Sequence, residues 1–205
     1  TKNAKAVVRW LKDSGRTESQ INNALFAVTA NVPAAKEFGV KEENIYPFWD
    51  WVGGRYSVWS AVGLPIALQY GFETFKEFLA GAQAIDQHYQ SAPLEENLPI
   101  LMALTLLYQQ EKHDIKSFAV IPYADALDWF PKWLQQLDME SNGKSVDRNG
   151  KPVKFSCPVV FGSSGSNAQH SYFQLLHQGT EVIPIDFIAI REPMSHLPEA
   201  KEHHR

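Results

Sequence analysis

Short apolar runs recur along this chain, separated by stretches long enough for helices. The runs are Ala24–Thr29, Ser117–Ile121, Pro158–Gly162 and Glu181–Ala189. Strands alternating with helices favour a parallel or mostly parallel sheet covered on both faces, because parallel neighbours need a crossover between them. The fold class expected is therefore α/β.

The helical stretches carry their own start and stop signals. Ala4, Val7, Val8 and Leu11 mark one face of a first helix that ends near Ser14-Gly15. Pro33–Phe38 has proline in its first turn and Gly39 after it, and Ile45–Phe48 is extended and broken by Pro47. Tyr56–Gln69 is expected to be helical, bent or interrupted at Pro65, with Phe72–Gln90 continuing after Gly71. Asn97–Glu111 is apolar nearly all round, the pattern of a core helix. Pro131 should kink the helix expected over Ala124–Asp138 or start a second segment. Asn142-Gly143 and Asn149-Gly150 bracket a polar hairpin-like arm, and Ser166–Gln178 forms one more helix, stopped by Gly179.

Composition removes several function classes. Hydrophobic residues make up 44% of the 205, with six Trp, seven Tyr and twelve Phe, so the chain can bury a core and is not disordered. A formal charge of −4 provides no basic field for nucleic acid. Ile100–Leu107, the most apolar segment, is far short of the roughly 20 residues that span a membrane. The single cysteine, Cys157, precludes an internal disulfide and suits a reducing, cytoplasmic setting. Its neighbours Pro158-Val159-Val160-Phe161 make it a buried strand residue rather than a reactive thiol.

Two stretches carry chemistry. In Asn44–Gly63 an aromatic run ends at Gly53-Gly54-Arg55. The glycines let a ligand approach the main chain, and the arginine fork suits an anionic oxygen. The alternative is an arginine stacked on nearby tryptophans for structural reasons. In Gly162-Ser163-Ser164-Gly165-Ser166-Asn167 small residues join a strand to a helix start, where free N–H groups and the helix dipole suit an anion or sugar oxygens. The loop lacks the Gly-x-Ser-x-Gly spacing of a nucleophile elbow and the lysine of a Walker loop. A bare glycine-serine turn remains the plain alternative. His170 and His177 would stand roughly 10 Å apart on one helix, too far for one metal, so no metal site is expected.

Trp51-Val-Gly-Gly-Arg-Tyr-Ser-Val-Trp-Ser-Ala-Val-Gly63 resembles a signature of the glucose-6-phosphate isomerase family. Gly165-Ser-Asn-Ala-Gln-His-Ser-Tyr-Phe-Gln-Leu-Leu-His-Gln-Gly-Thr180 resembles a second segment of that family, and Asp138–Lys144 and Leu79–Ala82 with Asp86 and His88 fit in the same order. The resemblance implies the sugar isomerase fold, a three-layer α/β architecture in two domains. Residues 1–70 would close the first domain and residues 71–205 open the second. It also implies interconversion of glucose 6-phosphate and fructose 6-phosphate through a cis-enediol, with no cofactor. The partners implied are the sugar phosphates and a second copy of the protein, as a homodimer.

Residue by residue, the resemblance makes Arg55 the group that steadies the enediolate, with Gly54 as a backbone contact to substrate. His196, in Ser195-His196, falls near the place of the ring-opening histidine. The family's Gly-Glu-Pro-Gly-Thr-Asn reads Gly-Ser-Ser-Gly-Ser-Asn here, so Ser163 occupies the acid/base glutamate's position. A serine hydroxyl without an adjacent base cannot shuttle that proton. The sequence thus leaves three readings: an isomerase whose missing carboxylate comes from elsewhere, a sugar-phosphate-binding pseudoenzyme, or a structural module in which the glycines and Arg55 only support packing. A helical pattern already under way at Thr1–Ala4 and another beginning at Glu199–Arg205 give the expectation of an internal piece of a longer protein.

Overall fold

In a computed structural model the description covers residues 2–192. The chain divides into two compact units, Thr1–Asp86 and Gln87–Arg205. Both are α/β, and both sheets are parallel.

The first unit opens with helix α1 (Lys2–Asp13), which ends where Gly15 takes a φ of +82°. Helix α2 (Glu18–Ala24) was not anticipated, although Thr17-Glu-Ser-Gln20 is a capping box. Thr17 Oγ1 accepts from the Gln20 N–H, and the Gln20 side chain accepts from the Thr17 N–H. Strand β1 is correspondingly short (Ala27–Thr29), since Ala24 belongs to the helix. Helix α3 (Val32–Glu37), with proline in its first turn, crosses over to β2 (Ile45–Pro47), which pairs with β1 from Ala27–Ile45 to Thr29–Pro47.

Helix does not begin at Tyr56. Two 3-10 turns, Gly54–Tyr56 and Ala61–Gly63, precede α4 (Leu64–Tyr70). The Ser57 hydroxyl donates to Gly54 O at 2.5 Å and the Ser60 hydroxyl to Ser57 O at 2.6 Å, so local side-chain bonds replace the helical ladder. Pro65 starts α4 rather than bending it. Helix α5 (Phe72–Ser91) follows Gly71 and brings Phe75, 8% exposed, against Gly63. A Cβ on Gly63 would stand 2.5 Å from the Phe75 ring.

In the second unit, helix α6 (Leu98–His113) departs from its expected core role. Gln110 is its one buried residue, while Met102, Leu104, Leu107 and Tyr108 are more than half exposed. Apolarity all round predicts burial only when something covers the helix, and the described residues do not cover this one. Its start is well fixed nonetheless. Asn97, 1% exposed, accepts from the Ile100 N–H and donates to Tyr89 O at 2.8 Å. Asn97→Ala is expected to cost about 1–2 kcal/mol, from a lost cap and the lost bond to the Tyr89 carbonyl. The midpoint of urea unfolding measures it.

Strand β3 (Ser117–Pro122) is the centre of a three-stranded sheet, between the strands Val159–Phe161 (β4) and Ile185–Ile188 (β5). Helix α7 (Phe130–Leu134) has Pro131 in its first turn and forms a second segment after a 3-10 turn at Asp125–Leu127. It runs on into a π-helical stretch, Gln135–Glu140. Asn142 ends the preceding helical stretch rather than forming a turn, and the polar arm closes around Asn149-Gly150 with an antiparallel bridge, Val146–Pro152. Strand β4 (Val159–Phe161) begins after Cys157, which is half-buried and outside the strand. Helix α8 (Gly165–Ser171), helix α9 (Phe173–Gln178) and strand β5 (Ile185–Ile188) complete the unit. The single helix expected over 166–178 is two, because Tyr172 (φ −145°, ψ 5°) breaks it. The strand expected over 181–189 is confined to its last half.

Ala119, Ile121 and Ala168 are fully buried, with Phe161, Tyr172, Phe173, Leu176 and Ile185 packed on them. Val120, also buried, points to the other face of the sheet by the alternation of a strand. Among the described residues strand β4 has no further strand on its outer edge, and side chains satisfy it there. Gln135 Nε2 donates to Val160 O at 3.0 Å, and the Val160 N–H points at Met139 Sδ at 3.4 Å.

Candidate functional site

The first candidate region lies in the first unit, between β2 and α4. Gly53 is extended (φ −169°) and Gly54 has φ +57°. A Cβ at Gly54 would meet nothing within 4 Å, so the glycine answers a backbone angle rather than a lack of room. Its carbonyl receives both the Ser57 N–H (3.2 Å) and the Ser57 hydroxyl, which fixes the turn. Arg55, in that turn, is half-buried, with its guanidinium carbon 5.7 Å from the centre of the Tyr56 ring. Trp49 and Trp51 stack on each other, centroids 5.2 Å apart and nearly parallel.

The second region lies in the second unit, at the carboxyl ends of the parallel strands, the edge where open α/β sheets bind ligands. The loop after β4 approaches β3 so closely that a Cβ on Gly162 would stand 1.9 Å from Val120 O. A Cβ on Gly165 would stand 2.5 Å from the Tyr123 ring, so both glycines answer lack of space. Tyr123 follows β3, and its N–H bonds Ile188 O at 2.7 Å.

Between the glycines both serine side chains have a partner. The hydroxyls of Ser163 and Tyr172 are 3.1 Å apart, and Asn167 donates to Ser164 Oγ at 3.1 Å. Ser164 is 3% exposed, and its N–H bonds Asp128 Oδ1 at 3.2 Å. The sequence reading offered that N–H to an anion; in the fold a carboxylate of the protein holds it, as the positive end of a helix favours.

Sequence reasoning missed Asp128, Tyr123 and Tyr172. Asp128 fell inside an expected helix with no motif around it, and only the strand-to-helix return brings it to the loop. Tyr172 had a local signal, an aromatic spaced from Ser163 across one short helix. Arg55 and Gly54 belong to the first unit and Ser163 to the second. His196 lies outside the described residues, as do His203 and His204. His170 and His177 are exposed, His177 edge-on to Phe173. Burial pushes the Cys157 thiol above its ordinary pKa, which favours the unreactive protonated form.

Relatives of the chain are consistent across sequence and structure. The phosphoglucose isomerase family model matches residues 1–205. A glucose-6-phosphate isomerase of Stutzerimonas stutzeri is 50% identical over 203 residues, 98% of this chain and 36% of that protein. The chain thus spans little more than a third of the curated relatives it matches. The crystal structure of a glucose-6-phosphate isomerase from Chlamydia trachomatis superposes with a TM-score of 0.87 at 36% identity, over 95% of this chain and 37% of the other. A hypothetical protein from Thermus thermophilus gives 0.73 at 26% identity, over 98% and 48%. The match of the family model along the whole sequence, with half of the residues shared with curated members, settles kinship: this chain belongs to the phosphoglucose isomerase family.

Proposed function

We propose that the chain is one part of a glucose-6-phosphate isomerase that interconverts glucose 6-phosphate and fructose 6-phosphate through a cis-enediol. The observation that carries this is the 50% identity to proteins of that name over nearly every residue of the chain. Residues 1–70 and 71–205 are read as parts of two sugar isomerase domains. Arg55 then lies beside the developing enediolate, where a rigid guanidinium offsets the charge on oxygen. Gly54 lets the substrate approach the main chain. The assembly is read as a cytoplasmic homodimer that binds neither nucleic acid nor membrane.

Ser163 specifically favours a second reading, a relative that binds sugar phosphate without isomerising it. One experiment separates the two. Full-length protein, prepared from a host lacking its own isomerase, is given fructose 6-phosphate, with release of glucose 6-phosphate followed by a coupled dehydrogenase. Turnover on the order of 1–10³ s⁻¹, the ordinary enzymatic range, is the expected result. Binding of 6-phosphogluconate, a stable sugar-phosphate analogue, with no turnover would establish the second reading. Neither binding nor turnover would leave a structural module.

A further inference from the structure

The loop that lacks a glutamate does not lack a carboxylate. Asp128 arrives from the segment between β3 and α7, and its Oδ1 lies 3.2 Å from the N–H of Ser164, the residue next to Ser163. Standard peptide geometry puts that nitrogen about 2.4 Å from Ser163 Cα, so the Asp128 oxygen lies within about 6 Å of it. A glutamate at 163 would carry its own carboxylate about 4–5 Å from the same Cα. Asp128 is half-buried, and its second oxygen takes no hydrogen bond from the described residues. The serine itself is occupied, its hydroxyl paired with that of Tyr172.

We propose that Asp128 supplies the carboxylate that moves the proton, where the family's motif has a glutamate and this chain has Ser163. The proposal rests on the isomerase reading above and names a further catalytic residue for it. In the open-chain aldose, Asp128 takes the proton from C2. The C2–H electron pair becomes the second bond between C1 and C2, and the carbonyl pair moves onto O1. The O2 proton passes to O1, and the protonated Asp128 returns its proton to C1 as the O2 carbonyl forms. Atoms and charge balance without any co-reactant. Ser164 N–H holds one oxygen of the carboxylate and so orients the other.

A purely structural clamp makes a different prediction. Asparagine keeps an oxygen to accept from Ser164 N–H but cannot take a proton from carbon. In the full-length protein, Asp128→Asn is expected to lower kcat for fructose 6-phosphate at least a hundredfold, the usual order for losing a general base, with KM changed less than threefold. Ser163→Glu in that background is expected to restore at least tenfold. A loss under tenfold in Asp128→Asn would overturn the proposal and leave the isomerase reading standing, as would a double variant no faster than Asp128→Asn. An unsubstituted protein with no turnover would overturn both. If Asp128→Asn did not fold, Asp128→Glu decides: it keeps the charge but displaces it by a methylene, and an undiminished kcat would overturn the proposal.

Discussion

Arg55→Lys in the full-length protein is expected to lower kcat about 10²–10³-fold while leaving the unfolding temperature nearly unchanged. The expected loss of transition-state stabilisation is about 2.7–4 kcal/mol, the range for removing one oxyanion donor. Lysine keeps the charge but not the planar fork, and its ammonium is more strongly hydrated. The geometry supports testing the residue by this conservative change. Arg55 sits in a turn that Ser57 closes from both its N–H and its hydroxyl, bonds that lysine at position 55 leaves in place. Steady-state kinetics with a thermal melt on the same sample decide the point. Normal turnover with a lowered melting temperature would make Arg55 a packing residue.

The second large effect is structural. Gly162→Ala is expected to cost at least about 3 kcal/mol, at or beyond the upper end of ordinary overpacking. The new methyl would stand 1.9 Å from Val120 O and 3.1 Å from Pro131 Cβ. Flexible side chains can move away, but Val120 O belongs to the central strand. Strand β4 would therefore have to leave its register on β3, and the Ser163–Ser164 turn would move with it. Typical stabilities are about 5–15 kcal/mol, so the shift in urea midpoint should be plain. An unchanged midpoint would contradict the close approach of β4 to β3. Gly54→Ala sets a useful contrast, because that site has room and only the positive φ opposes the change.

The class of the fold was legible because apolar runs and turn signals are local. Pro33, Pro65 and Pro131 all mark helix starts, although the sequence pattern put Pro65 inside a helix, bending or interrupting it, and left Pro131 open between kink and start. Local pattern failed where side chains competed with the backbone. Ser57 and Ser60 turned an expected helix into 3-10 turns, and Tyr172 broke another in two. It failed again on α6, whose apolar surface gives its tendency to be buried but not what buries it.

The candidate site divides in the same way. Gly54, Arg55 and the 162–167 loop could be named from residue types and motif spacing. That Gly162 and Gly165 answer crowding by Val120 and Tyr123 could not, because those contacts join positions about forty residues apart in the chain. Asp128 was hidden for the same reason. It lies thirty-six positions from Ser164 and carries no motif of its own.

The central claim is that a protein containing this chain moves a proton between neighbouring sugar carbons. Proton NMR of glucose 6-phosphate in deuterium oxide with the full-length protein tests it most directly. Loss of the C2 proton signal as deuterium enters is expected, together with the appearance of fructose 6-phosphate. Glucose 6-phosphate that binds yet keeps its C2 proton, with no fructose 6-phosphate formed, would contradict it.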